Sequence, residues 1–352
     1  MRRPLPILLA LALLLPLTSC DSSDGPTGSI VAMSLNLYLG ADIFVLTQEP
    51  NPNLVPVRVA EVYGAALASD FTARAESIAD AIQAEDPDLI GLQEVTTYAT
   101  QTPSDYVTGT TEPNATNVTV DFLDILLDAL AARGLDYRVA STSNNADVEF
   151  PATTDGQSFF DVRYRDADVI LARSDVQTSG AVENSFNALV TVPVGGVDQT
   201  FVRGYQHVTA TIDDFTFTFV NTHLEVGGDA APIQFLQATQ LKGVIDRLDG
   251  PVAFTGDINS AADGSTTDSY AKIIEALTDP LAGGGEPTCC QDSDLLNATS
   301  DHTTRIDFVM HRDFEGATDT RAILDTPDTR VTTAGGTRWA TDHAGVVSTL
   351  TY

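Results

Sequence analysis

The stretch FTFTFVNTHLE at Phe215–Glu225, followed by VAFTGDIN at Val252–Asn259, decides how this chain is read. The first run alternates apolar and polar residues with period two and is rich in Phe and Thr, the mark of a half-buried strand. It is preceded by FVRGYQHVTATI (Phe201–Ile212) across Asp213 and Asp214, which reads as a hairpin. Between the two quoted stretches, Pro232–Leu248 reads as a helix with proline in its first turn. A hairpin beside a strand–helix–strand piece predicts an α/β layered domain with a mixed sheet.

Outward from there the same alternation continues. Ser29–Leu35, Leu89–Gln93, Tyr137–Ala140 and Ala167–Ala172 read as strands, and so do Ile306–Met310 and Ala344–Leu350. Phe71–Ala84 reads as a helix with Ala75, Ile78, Ala79 and Ile82 on one face and Asp70 as its N-cap. Val120–Arg133 and Thr267–Leu277 complete the expected helices, while 42–68 and 97–118 read as insertions.

The chemistry-bearing residues sit at the ends of the apolar runs. Asn36 follows the first strand, Glu94 follows LIGLQ, and His223 closes FTFTFVNTH. Asp257 and Asn259 follow VAFTG, Asp307 interrupts RIDFVM, and Asp342 and His343 precede the last strand. If these rims coincide, carboxylates, imidazoles and amides converge. Such a cluster of carboxylates is stable only around a cation. Hard oxygen donors suit Mg²⁺, with Mn²⁺ or Ca²⁺ as alternatives, rather than zinc.

Six pieces in this order (SLN 34–36, LQEV 92–95, NTHLE 221–225, TGDIN 255–259, RIDFVM 305–310 and TDH 341–343) resemble the endonuclease/exonuclease/phosphatase superfamily, the deoxyribonuclease I-like proteins. The resemblance implies a four-layer sandwich: two mixed β-sheets packed face to face, helices outside, and the site at one end. It also implies a divalent-metal-dependent phosphoesterase. Carried over, Glu94 becomes the main metal ligand with Asn36 beside it. Asp257 orients or deprotonates the attacking water, and Asn259 holds that water or a phosphate oxygen. His223 and His343 flank the scissile phosphate. Asp307 supports metal or phosphate contacts, and Asp342 orients His343 and faces the metal. Arg203 matches a phosphate-contacting arginine and Tyr164 a tyrosine that reaches the site, with Asp166 or Asp168 as partner for His223. His207, His302 and His311 lack motif support and read as surface or strand residues.

Composition bounds the rest. The 352 residues carry 49 Asp+Glu against 18 Lys+Arg, a net charge of −31, with lysine only at 242 and 272. Such a surface repels phosphate backbones and argues against a non-specific nucleic-acid coat. The preferred reading is a salty habitat, where screening relieves self-repulsion, with simple solubility as the alternative. Arg2, Arg3, the apolar run Leu5–Leu17 and Leu17-Thr18-Ser19-Cys20 resemble a bacterial lipoprotein signal, with Cys20 lipidated. The expected organisation is a signal peptide at 1–19, a tether at 20–28 and one catalytic domain at 29–352. The expected protein is monomeric and extracytoplasmic, and it meets the membrane only through its lipid. Its expected substrate is a phosphate ester, in nucleic acid, nucleotide or phospholipid head group. Phosphodiesterase or nuclease activity ranks first. Sphingomyelinase-like or inositol-phosphate-phosphatase-like activity, or a non-catalytic binding lipoprotein, are the alternatives. Cys289 and Cys290 read as a loop feature without catalytic duty.

Overall fold

The computed structural model describes residues 27–352; the leader and Cys20 lie outside the described residues. Two sheets form the body. In the first, the order is Gly316–Ile323, Gly345–Thr351, Ser29–Asn36, Leu89–Gln101, Phe160–Arg173 and Tyr137–Ala152, with Asn117–Asp121 also paired to Leu89–Gln101. In the second it is Asp307–Arg312, Val252–Asp257, Phe215–His223, Gly204–Ile212 and Gln177–Ser185. Each sheet contains one parallel pair among antiparallel ones, Ser29–Asn36 with Leu89–Gln101 and Phe215–His223 with Val252–Asp257. Both sheets are therefore mixed.

Strand alternation builds the layers. Ile30 and Ala32 of the first sheet face Phe217, Phe219, Ala253 and Val309 of the second in one buried cluster. The intervening Met33 and Leu35 pack outward on Ile78 and Ile82 of the helix Phe71–Glu85 and on Phe122 and Leu126 of the helix Phe122–Ala132. On the other side, Val220, Val252 and Phe254 pack against Ala238, Leu241 and Ile245 of the helix Ala231–Ile245. The result is the four-layer sandwich, helix–sheet–sheet–helix.

The two sheets approach closely at Gly91. A Cβ there would lie well inside 3.0 Å of Thr255 Oγ1 and Asn221 Oδ1 on the facing sheet, so only glycine fits. Around it a buried polar network crosses between the sheets. Gln93 Nε2 donates to Asn221 Oδ1 at 2.7 Å, Asn221 Nδ2 to the Leu92 carbonyl at 3.0 Å, and Thr255 Oγ1 to Asn221 Oδ1 at 3.2 Å. These bonds fix one sheet against the other directly beneath the rim that carries Glu94 and Asp257.

Several expected elements differ. The region 42–68 holds a helix, Val55–Ala68, started by Pro56. Within 97–118, residues 97–101 continue the strand Leu89–Gln101 and 117–118 start Asn117–Asp121. The helix expected from Val120 begins only at Phe122, because the Asp121 side chain accepts from the N–H groups of Leu123 and Asp124 and caps it there. The last expected helix shrinks to Ser269–Ile273. The strand expected over Phe201–Ile212 breaks at Val202 and Arg203, and its first part belongs to a separate hairpin, Val190–Val194 with Val197–Phe201.

Candidate active site

The rims do coincide. Strand register sets His223 beside Asp257 in the parallel pair, and Asp257 beside Asp307 in the antiparallel one. Asn36 ends the adjacent strand of the first sheet, and Glu94 leaves Leu89–Gln101 where the pairing with Phe160–Arg173 slips between Leu92 and Val95. That bulge places Glu94 at φ 55°, a left-handed conformation costly for a glutamate. Its carboxylate is thereby turned into the cleft, where Oε2 accepts from Leu39 N at 2.9 Å. Asn259 is also left-handed, at φ 50°, and its N–H donates to Asp257 Oδ1 at 2.9 Å.

One cleft of about 250 Å³ collects Glu94, Tyr164, Arg203, His223, Asp257, Asn259, Asp342 and His343 on its walls. Asn36 and Asp307 stand just behind. Asn36 Nδ2 donates to Glu94 Oε1 and to Asp257 Oδ2, both at 3.2 Å, and so ties the two carboxylates together. Every residue expected at the site is in or against this cleft.

The two histidines differ. His343 Nδ1 donates to Asp307 Oδ2 at 2.9 Å, with Asp257 Oδ2 at 3.8 Å. Burial opposes its charge, but the carboxylates of Asp307, Asp342 and Asp257 outweigh it and hold the imidazole well above the ordinary histidine range. At His223, Arg203 Nη1 meets Nδ1 at 2.8 Å. A guanidinium can only donate, so the ring proton belongs on Nε2, 3.5 Å from Asp257 Oδ2. Burial, then Arg203 and His343, push His223 well below its ordinary range, so it is neutral. Asp257 is pushed up to about 7, first by burial and then by Asp307.

One expectation is corrected. The carboxylate that orients His343 is Asp307, not Asp342, whose Oδ1 is 4.0 Å from His343 Nε2. The reason lies in register: Asp307 begins the strand paired to Asp257, and this sets its carboxylate under the ring. Asp342 instead lies in the field of Glu94, pushed up to about 7 chiefly by burial, and its buried Oδ1 has no hydrogen-bond partner. Cys289 and Cys290 are disulfide-bonded, and Cys290 lines the cleft with its Sγ 3.8 Å from His343 Nε2. Of the two candidate partners for His223, Asp168 faces Nδ1 at 3.9 Å, too far for a hydrogen bond, while Asp166 lies 4.0 Å from Arg203. Tyr164 packs on Tyr98 with ring centroids 5.6 Å apart and forms a wall of the cleft. His302 is half-buried behind the site, 3.1 Å from the Asp342 carbonyl oxygen, whereas His207 and His311 lie along strands away from it.

Sequence reasoning passed over three supporting groups. Glu225 is buried 4.0 Å from Arg203 Nε and, with Asp166 and Asp168, keeps that arginine charged against burial. Gln234 Nε2 donates to the carbonyls of Glu225 and Asn259, at 2.6 and 2.8 Å, and pins both loops to the helix Ala231–Ile245. Asn145 Nδ2 donates to Asp166 Oδ2 at 3.4 Å. The last residue of NTHLE was a visible signal for the first; the others carry none.

The family model described as Endonuclease/Exonuclease/phosphatase family matches residues 33–343. The chain belongs to that family. Among solved structures, this family member resembles the Bacteroides thetaiotaomicron VPI-5482 mannosyl-6-phosphatase Bt3783, at 18% identity and TM-score 0.56 over 92% of this chain and 100% of that one. It also resembles an endonuclease/exonuclease/phosphatase family protein from Leptotrichia buccalis C-1013-b, at 13% identity and TM-score 0.55 over 92% of this chain and 100% of that one. Another, from Beutenbergia cavernae DSM 12333, gives 19% identity and TM-score 0.54 over 92% of this chain and 71% of that one. At these identities the likenesses establish the fold. No curated protein matches the sequence significantly.

The donor set fits a hard divalent cation in this family member. Glu94 and Asp342 offer carboxylate oxygens, and the orphaned buried Oδ1 of Asp342 has no protein donor to satisfy it, while Asn36, whose Oδ1 accepts from Tyr38 N at 2.9 Å, turns its amide N–H groups to Glu94. A second buried oxygen without a partner, Asp307 Oδ1, lies in the adjoining cluster of Asp257, Asp307 and His343.

Proposed function

We propose that the protein is a divalent-metal-dependent phosphoesterase that hydrolyses a phosphodiester by attack of water. The observation that carries this reading is the buried carboxylate of Asp257 set between a neutral histidine, His223, and a charged one, His343. Asp257 accepts the proton of the attacking water, and Asn259, fixed by Asp257 Oδ1, holds that water or a phosphate oxygen. His343, Arg203 and the Nε2–H of His223 supply positive charge and donors for the non-bridging and leaving oxygens. Mg²⁺ held by Glu94 and Asp342, with Asn36 positioning the Glu94 carboxylate, would neutralise a phosphate oxygen, with Mn²⁺ or Ca²⁺ as substitutes.

The test is turnover of bis-p-nitrophenyl phosphate with Mg²⁺ or Mn²⁺, with and without EDTA. Asp257→Asn, His223→Ala and Glu94→Gln should each lower turnover by about 10²–10⁴-fold. Variants as active as the wild type would end the reading. A panel of DNA, RNA, nucleotides, sphingomyelin and inositol phosphates then ranks substrates. Sugar phosphates belong in it because the Bacteroides thetaiotaomicron protein of the same fold is named a mannosyl-6-phosphatase. The leader supports an extracytoplasmic location through lipidated Cys20. Mass spectrometry of the native N-terminus checks that assignment, and a Cys20 without acyl mass would remove it.

A further inference from the structure

Beside the cleft lies a second pocket of about 60 Å³, bounded almost entirely by hydrocarbon. Its far walls include Val62 of the helix Val55–Ala68, Val148 of the strand Tyr137–Ala152 and Val194 of the hairpin at 190–201. Its near walls are Ile43, Ala146, Tyr164 and Phe201, and the same four residues wall the catalytic cleft. The two spaces are thus neighbours across one shared partition.

Two features separate this space from ordinary packing. Protein cores leave few voids larger than a water, whereas about 60 Å³ corresponds to roughly four to six water-sized units at about 10–15 Å³ each. The walls also offer almost nothing for water to bond, so filling the space with solvent is unfavourable. Its walls come largely from segments 43–62 and 194–201, which lie outside the two sheets, while the catalytic groups sit on the sheet rims. The pocket therefore adds an apolar surface to the site without contributing a reacting group.

We propose that this pocket is a specificity subsite for the apolar ester substituent of the substrate. The substrate class is then a phosphate ester bearing a hydrocarbon group of about four to six carbons, a short alkyl chain or a single ring. This deepens the phosphoesterase reading and rests on it for the position of the phosphorus.

Alkylphosphonates test the subsite without turnover, because their P–C bond is not hydrolysed. Calorimetric affinities of methyl-, propyl- and butylphosphonate are measured on the protein with Mg²⁺. Affinity should rise about 4-fold per methylene, which is on the order of 60-fold from methyl to butyl. Val148→Phe and Val62→Phe each fill the pocket from a different element, so one misfolded variant leaves the other informative. Either should bring the butyl-to-methyl ratio close to one. Equal affinities for the whole series, no binding of any phosphonate, or a ratio unchanged in both folded variants would overturn the subsite. Turnover of bis-p-nitrophenyl phosphate is read in parallel. Turnover with a flat phosphonate series removes the subsite alone, whereas a graded series without turnover keeps the subsite and removes the phosphoesterase reading.

Discussion

Replacing Gly91 by alanine tests whether the spacing of the two sheets controls the site. The added methyl meets Thr255 Oγ1 and Asn221 Oδ1 far inside normal contact, and both opponents are buried and hydrogen-bonded. Neither can rotate away without breaking a bond: Thr255 Oγ1 also donates to the Val220 carbonyl at 3.0 Å. Overpacking of this kind costs about 1–3 kcal/mol, and one lost buried hydrogen bond adds about 1 kcal/mol. A total of about 2–4 kcal/mol follows. At about 2.1 cal/mol/K per residue, a domain of this size unfolds with roughly 0.7 kcal/mol/K, so the melting temperature should fall by about 3–6 °C. Gly91 lies three residues before Glu94, and the strain would shift Glu94 relative to Asp257 on the opposite sheet. A displacement near 1 Å at a reacting centre costs on the order of 100-fold in rate. Calorimetric melting and phosphodiester turnover are measured together. Gly64→Ala serves as the control, because Gly64 lies inside the helix Val55–Ala68 with nothing within 4 Å of the new methyl. That change should stabilise by up to about 1 kcal/mol. A Gly91→Ala protein that melts within a degree of wild type with undiminished turnover would refute the reasoning.

Asp307→Asn keeps the shape of the side chain but removes the carboxylate charge that faces His343 Nδ1–H. It should lower kcat on the order of 100-fold with little change in KM, and equal kcat would show that Asp307 does not position His343. His311 is buried, with Nδ1 unpartnered, and burial pushes its pKa below the ordinary value of 6.5. Below pH 6.5 the unfolded chain binds this proton before the folded one does, so stability should fall as the pH drops from 6.5 toward the folded pKa. Denaturant midpoints should therefore slope downward over that window and flatten in His311→Phe; an unchanged slope would reject this origin. The net charge of −31 predicts a melting temperature that rises between low and molar NaCl, and a flat or falling curve would reject self-repulsion as a significant cost.

What the sequence made legible followed from periodicity and caps. The helix expected at Phe71–Ala84 spans Phe71–Glu85, with Ile78 and Ile82 in the core and the Asp70 side chain accepting from Ala73 N at 3.3 Å. Its apolar stripe and cap are local, and local signals survive in a linear reading. The long strands were read short because their outer halves are polar. Tyr137–Ala152 runs through STSNN, and Phe160–Arg173 begins with FDVRYRD, where alternation is masked by buried acids such as Asp161. The break at Val202 and Arg203 was invisible for the opposite reason. The run is apolar on both sides, yet the chain changes sheets there, and that change delivers Arg203 to His223. The Asp342 and Asp307 roles were exchanged because two carboxylates near one histidine are equivalent in sequence and are separated only by register. Asp257 pairs with Asp307, a relation across 50 residues that no local pattern encodes.

The site is therefore best understood as two half-sites on different sheets. The first sheet and its flanking loop supply Glu94 and Asp342, oxygen donors suited to a cation, with the Asn36 amide beside them. The second supplies His223, Asp257 and Asp307, the groups to which the proposed mechanism gives the protons. At the site, three contacts cross the seam. Asn36 reaches Asp257, and His343, which precedes a strand of the first sheet, reaches Asp307 on the second. Arg203, at the edge of the second sheet, links His223 to the field of Asp166 and Asp168 on the first. Charge balance draws on both halves: His343 is kept charged by Asp307 and Asp257 across the seam and by Asp342 beside it, and Arg203 by Glu225 beside it and by Asp166 and Asp168 across the seam. A chain that carries −31 overall can thus hold positive charge at its cleft without spending surface lysines, because the cations that matter are buried and individually paired. It also follows that the seam, pinned at Gly91 and Asn221, is as much a part of the chemistry as the side chains that line the cleft.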